Sequence, residues 1–383
     1  MPKLPIYLDF LSTTPCDEAV LEAMLPFFTK DFGNASSHTH AHGWYAAEAV
    51  KQAREQIAEL IGSEPGEIVF TSGATESDNL GIKGIFSRFA SRGNHIVTCQ
   101  TEHRAVLDTC AHMERMGGRV SYLPVDSEGR ISLPELEREL NDSTVLVCIM
   151  FANNETGVIH PVEEIARICR ARNILFMCDA TQAVGKIPVD VNREKIDLMA
   201  FSAHKIYGPK GIGALYLRRR GPRADPDPQM DGGGHEGGYR SGTLNVPGIV
   251  GFGKACQICR EFMDKDSSHT RGLRDLFESG LTRAGIARVN GSVTHRLSNA
   301  SNLEFPGMEG SRLLSLLAAE LSASLGSACT SARPEPSHVL KAMGRSDAQV
   351  RSCLRFSFGR TTTGAEVEYA LERIRMGLRS LGP

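Results

Sequence analysis

The chain has 383 residues, 41% hydrophobic and 23% charged, with 43 basic side chains against 45 acidic ones and a formal net charge of −2. That length allows a large core divided over two lobes, and the balanced charge leaves no electrostatic footprint for nucleic acid or a membrane surface. No apolar run reaches membrane-spanning length, and Met1-Pro2-Lys3-Leu4-Pro5 opens no secretory stretch, so a cytoplasmic protein is expected.

In chain order, the first strand is expected over 67–71, followed by an amphipathic helix from about Thr75 whose Leu80, Ile82, Ile85, Phe86 and Phe89 fall mostly on one face. A strand over 95–99 leads into a helix over 104–116, then a strand over 119–123 and a helix over 134–140. A strand over 144–150 follows, then a helix over 161–172 that begins at Pro161. Short apolar runs over 174–178, 197–201 and 212–217 read as buried strands. This alternation predicts an α/β fold around a mostly parallel sheet covered on both faces. Arg218 to Pro228 is the nearest thing to a linker. After about Val250 the pattern changes to a helix, a strand near 302–305, a helix from Gly310 and a last helix from Gly364. The expected division is a large domain over 16–255 and a small one made of 1–15 plus 256–383.

The ten cysteines are scattered, and Cys99, Cys148 and Cys178 sit inside apolar runs. They read as reduced, buried thiols and not as a disulfide framework. Cys256 and Cys259 have CxxC spacing without a second pair, in a helical pattern, so no metal site is expected.

Lys205, in Ser202-Ala203-His204-Lys205, lies beyond the carboxyl end of the 197–201 strand, where open α/β sheets place their ligand crevices. Burying an ammonium is costly. A desolvated lysine is a good amine nucleophile, and one use of it is a Schiff base with pyridoxal phosphate. Asp179, directly after another apolar run, suits the pyridinium nitrogen of that cofactor. Thr71 to Ser77 joins a strand to a helix with small residues, so backbone N–H groups and the Thr75 hydroxyl can meet a phosphate. Ser202 and His204 can complete the cup, and Thr243, in the glycine-rich stretch 232–243, can reach the same phosphate. That stretch reads equally well as a flexible surface loop. His103 can stack on the cofactor ring and move protons. The Asn153-Asn154 amides suit a phenolic oxygen or a substrate carboxylate, or form a plain turn. In Ser324-Leu325-Gly326-Ser327-Ala328-Cys329-Thr330-Ser331-Ala332, a cysteine stands among small residues, as an accessible nucleophile would.

Together Ser202-Ala-His-Lys205-Ile-Tyr-Gly-Pro-Lys-Gly, Gly73-Ala-Thr-Glu-Ser, Thr101-Glu-His103, Asn153-Asn-Glu-Thr-Gly, Asp179-Ala-Thr-Gln182, Arg240-Ser-Gly-Thr243 and Gly326-Ser-Ala-Cys329-Thr-Ser resemble a cysteine desulfurase of the NifS/IscS type. The resemblance implies a fold-type-I pyridoxal phosphate transferase with a large seven-stranded sheet domain and a smaller α/β domain, working as a homodimer. By it, Lys205 carries the cofactor and Asp179 pairs with the ring nitrogen. Gln182 bonds the phenolic oxygen, with Asn154 also near the cofactor, and His103 stacks on the ring. Ala74, Thr75, Ser202 and His204 hold the phosphate, with Thr243 reaching in from the partner subunit. Asn154 and Arg355, with Asn34, orient the carboxylate of L-cysteine. Cys329 takes the sulfur as a persulfide, alanine leaves, and an acceptor protein for iron–sulfur assembly or thiolation of RNA or DNA receives the sulfur. A selenocysteine lyase or another fold-type-I aminotransferase-like enzyme is the alternative, and a non-catalytic binding subunit a third reading. Phe10-Leu11 is bulkier than the family usually has, so a different pocket floor is expected. Gly237 stands where relatives often carry a larger polar or basic residue. The end at Pro383 lacks the longer tail that docks a scaffold in housekeeping members, which favours a dedicated acceptor.

Overall fold

The computed structural model describes residues 2–221, 223–325 and 336–381. Its centre is a seven-stranded sheet of β1 (Ile68–Thr71), β2 (His95–Cys99), β3 (Arg119–Leu123), β4 (Thr144–Cys148), β5 (Leu175–Asp179), β6 (Leu198–Ser202) and β7 (Gly213–Leu217), in the order β1-β7-β6-β5-β4-β2-β3. Only β7 runs antiparallel to its neighbours; the other pairs are parallel. All but β3 are buried along their whole length, which is why they read as continuous apolar runs instead of alternating ones. The carboxyl ends of β2, β4, β5 and β6 therefore open on one edge, and the site lies there.

Two strand ends differ by one residue from the expected spans, to chemical effect. Asp179 and Ser202 are the last residues of β5 and β6, not the first beyond them. Asp197 stays outside β6 because its carboxylate accepts from the Phe176 N–H at 2.8 Å and pairs with Arg218.

Three helices cover the sheet near the site: α1 (Ala41–Ile61), α2 (Ala74–Arg88) and α3 (Arg104–Arg115). The sequence reading missed α1, although Ala46, Val50, Ala53 and Ile57 repeat at three- and four-residue spacing on its buried face and Gly62, at φ +70°, ends it in the left-handed region. It packs along α4 (Val246–Thr282), a 37-residue helix. A Cβ on Gly253 of α4 would stand 2.5 Å from the Ala53 Cα, so only glycine allows this approach.

The first part of α4 packs into the large-sheet core through Phe252, Cys256 and Cys259, and its later part packs with Phe277 and Leu281 into a second core. Ile6 and Leu8, from the start of the chain, lie in that second core beside Phe305, Phe356 and Phe358. Ile6–Tyr7 pairs in parallel with Leu321–Ser322. The small sheet is antiparallel, with β9 (Ala300–Glu304) between β8 (Arg288–Val289) and β10 (Cys353–Ser357). Strand β10 was not anticipated; its alternation of Leu354 and Phe356 into the core is what turns Arg355 the other way, toward the large sheet. Truncating the fully buried Phe356 to alanine should cost about 3–5 kcal/mol.

Candidate active site

At the shared strand edge lies a cavity of about 560 Å³. Lys205 enters it from a single helical turn after β6. Its Nζ donates to the backbone carbonyls of Leu11 at 2.8 Å and Ser12 at 2.5 Å. Asp179 presents its carboxylate from the end of β5, 5% exposed, with Oδ1 accepting from the Thr181 N–H at 2.9 Å. Behind it, on α2 and just after β2, stand Asp78 and Glu102, both fully buried. Burial, and then the Asp179 charge, push both acids well above the usual carboxylate range, against the Met150 N–H that Glu102 accepts.

One end of the cavity is built for an anion. The amino end of α2 supplies Ala74 and Thr75, and Ser202 and His204 face them. Gly73, at φ +155°, has no side chain to fill this cup, where a Cβ would lie 3.8 Å from the Ser202 Oγ. Burial first, then Lys205, Lys210 and Lys186, push His204 down to about 4, so its ring is neutral at physiological pH. Its Nδ1 lies 3.0 Å from the Thr13 hydroxyl; with that hydroxyl donating, Nε2 carries the proton and serves as a donor to the cavity.

His103 caps α3, its Nδ1 accepting from the Ala105 N–H at 3.2 Å while its ring lines the cavity. Gln182 uses both ends of its amide: Oε1 accepts from Lys186 Nζ at 2.6 Å and Nε2 donates to the Leu11 carbonyl at 3.0 Å. Burial, then Lys205, bring Lys186 down to about 7. The Asn153-Asn154 pair divides its work. Asn153 Oδ1 accepts from the Glu155 and Thr156 N–H groups and makes the turn, whereas Asn154 lines the cavity. Arg355 Nη1 donates to the Asn154 carbonyl at 2.8 Å, and its Nη2 donates to Asp9 Oδ1 and Ser12 Oγ, each at 2.7 Å.

Two expected site residues are not in this cavity. Asn34 is exposed, its Oδ1 accepting from the Ser36 N–H at 2.9 Å. Thr243 is also exposed, although its loop is not free: Glu236 is pinned by Arg54 at 2.7 Å and by the Phe70 N–H at 2.8 Å. A third, Cys329, lies outside the described residues. The residues on either side of that stretch are tied to the site. Ser324 exchanges backbone hydrogen bonds with Arg355, Ser337 Oγ donates to Glu155 at 2.6 Å, and His338 Nε2 lies 2.9 Å from the Glu102 carbonyl.

Sequence reasoning missed the strip 9–14, which ties the positive groups together through Asp9, the Leu11 and Ser12 carbonyls and the Thr13 hydroxyl. Carbonyl acceptors leave no trace in a side-chain pattern; the clue was the unusual bulk at Phe10-Leu11. That bulk is absorbed beside small residues, Leu11 against Ala152 and Ala300 and Phe10 over Gly359. Among the described residues every cysteine except Cys16 is buried, and no group of metal-binding side chains occurs. Cys256 and Cys259 are packing residues whose thiols burial pushes up, Cys259 to about 11.

The aminotransferase class-V family profile matches residues 6–370. Cysteine desulfurase IscS of Anaeromyxobacter sp. (strain Fw109-5) is 51% identical over 386 residues, covering 100% of this chain and 95% of that protein. The solved structure of a NifS-like protein superposes with a TM-score of 0.91 at 39% identity, covering 97% of this chain and 99% of the other. A structure described as SspA in complex with cysteine gives a TM-score of 0.83 at 36% identity, with 93% and 99% covered. A mostly parallel seven-stranded sheet with a lysine, a buried aspartate and an anion cup at one edge, matched end to end by such relatives, identifies the chain as a member of the aminotransferase class-V family, among its cysteine desulfurases.

Proposed function

We propose that the protein removes sulfur from L-cysteine, releases L-alanine and carries the sulfur as a persulfide on Cys329 to an acceptor protein. The observation that carries this reading is the meeting of Lys205, Asp179 and Arg355 on one cavity. The amine, the carboxylate and the guanidinium match the aldehyde of pyridoxal phosphate, its ring nitrogen and an amino-acid carboxylate respectively.

The residues fit pyridoxal phosphate. The side-chain-free cup at Gly73 and the amino end of α2 suit its phosphate, with Ser202 and His204 as further donors. Asp179 suits the ring nitrogen, Gln182 Nε2 and Asn154 the phenolic oxygen, and His103 the ring face. When bound, the cofactor supplies an electron sink for charge developing on the substrate Cα.

The chain's own groups do the rest. Lys205 Nζ takes the Cα proton and later returns one. Arg355 and Asn154 hold the carboxylate, and His103 moves the proton at the substrate amine or thiol. The Cys329 thiolate attacks the substrate sulfur: an S–S bond forms as the C–S bond breaks, and the bonding pair left on carbon takes a proton to give alanine. Support for Cys329 comes from the anchoring of its flanks beside Arg355, Glu155 and Glu102.

The active form is a homodimer in this reading. Leu21, Leu25, Phe28, Phe32, Trp44 and Tyr45, all within the first 45 residues, are each exposed, with Phe32 stacked on His42, and so many large apolar side chains at the surface suit burial against a second copy. Thr243, exposed on its pinned loop, would then serve the partner's phosphate, and Asn34 the partner's substrate. Residues 16–255 act as the cofactor domain, and 1–15 with 256–383 as the domain that brings Arg355 and Cys329. The acceptor is an iron–sulfur scaffold or a thiolation enzyme, and the setting is the cytoplasm. Production of alanine and sulfide from L-cysteine with added thiol tests the reading. A protein that transaminates cysteine without releasing sulfur would refute it.

A further inference from the structure

A guanidinium has two edges that can take both oxygens of a carboxylate, Nη1 with Nη2 and Nε with Nη2, and Nη2 belongs to both. In Arg355 both Nη2 protons are in use, one on Asp9 and one on Ser12, each at 2.7 Å. Nη1 serves the Asn154 carbonyl, and Nε is buried without a partner. The side chain is 3% exposed and cannot swing to offer a fresh edge. A substrate carboxylate can therefore bind Arg355 bidentately only by removing one of the two Nη2 acceptors.

The two acceptors are not equivalent. Asp9 makes a charge-assisted bond, and its backbone is bridged to Ser357 of β10 and bonded by the Tyr7 hydroxyl. Ser12 offers a neutral hydroxyl and lines the cavity itself. Both bonds share the cationic donor, but only Asp9 adds an opposite full charge to it, so the hydroxyl is the group that yields.

We propose that Ser12 is a displaceable latch on Arg355: the incoming α-carboxylate expels its hydroxyl from Nη2, takes its place there, and leaves Asp9 as the counter-charge. Ser12 thereby sets how tightly an α-amino acid is held relative to an amine without a carboxylate. This rests on the reading of Arg355 as the carboxylate-binding residue.

Equilibrium binding of L-alanine and of ethylamine, its carboxylate-free counterpart, to the full-length holoenzyme tests it. Ser12→Ala removes the competitor, and L-alanine should bind about three- to tenfold more tightly while ethylamine is unchanged. Ser12→Thr keeps the hydroxyl and should behave as the wild type, which separates the latch from a packing effect. An L-alanine affinity that is unchanged or weaker in Ser12→Ala overturns the proposal, as does equal tightening of ethylamine. Arg355→Gln tests the underlying reading separately: if it leaves L-alanine binding untouched, Arg355 is not the carboxylate site at all.

Discussion

The carbonyl oxygen of Leu11 accepts from both Lys205 Nζ, at 2.8 Å, and Gln182 Nε2, at 3.0 Å. Lys186 occupies the other end of the Gln182 amide, so the amide has one orientation, with its donor toward Leu11 and the cavity. Gln182→Glu would set a carboxylate against that carbonyl and remove the donor. The expected cost is about 1–3 kcal/mol, seen as roughly tenfold or greater weakening of cofactor binding in a fluorescence titration. Unaltered affinity would mean that the amide does not face the cofactor.

Lys205 and Lys210 both line the cavity, and Lys205 follows directly on β6 with its amine bonded to the Leu11 and Ser12 carbonyls. Lys205→Ala should reduce alanine formation by about 10³-fold or more. Borohydride reduction should fix the cofactor to residue 205 of the wild type and leave the variant unlabelled. Attachment at Lys186 or Lys210 instead would reassign the nucleophile.

The other thiols make a control. Cys99, Cys110, Cys148 and Cys178 are buried, and burial pushes their thiols up, Cys99 to about 12, which leaves no thiolate at neutral pH. Cys16 is exposed, and partial burial with the Asp17 charge raises it too. Cys16→Ser should therefore retain full desulfurase activity, whereas Cys329→Ser should lose it while still binding the cofactor. A Cys16 variant with no activity would point to that thiol as a carrier.

Asp78 gives a pH signature. Neither of its carboxyl oxygens has a hydrogen-bond partner, and the folded protein keeps a proton there that the unfolded chain releases above about pH 4. The folded state thus binds more protons, so this residue's stabilising contribution is present in full below that pH and declines as pH rises toward the folded value, by up to about 1.4 kcal/mol per pH unit. An amide at this position carries no such proton, so the stability of Asp78→Asn relative to wild type should increase from pH 5 to pH 8 in urea unfolding of the cofactor-free protein. A difference that is flat with pH would show that Asp78 ionises normally.

Much of this site was legible because its parts are side chains at strand ends. Asp179, Ser202 and His103 follow apolar runs that could only be buried strands, and parallel topology brings those ends together. The acceptors at Leu11 and Ser12 were not legible, since a backbone carbonyl looks the same in every sequence. Nor was the reach of Arg355, which depends on β10 pairing with β9 and on Asp9, 346 residues away, returning to meet it. Helix α1 had a visible period but contributes no side chain to the cavity that could have drawn notice to it.

The most direct test is mass analysis of the peptide containing Cys329 after the cofactor-loaded protein has met one equivalent of L-cysteine without reducing agent. One added sulfur atom is expected on that peptide, with alanine in equal amount and loss of the sulfur on treatment with thiol. Alanine formed with that peptide unmodified, or with the sulfur on another cysteine, would contradict it.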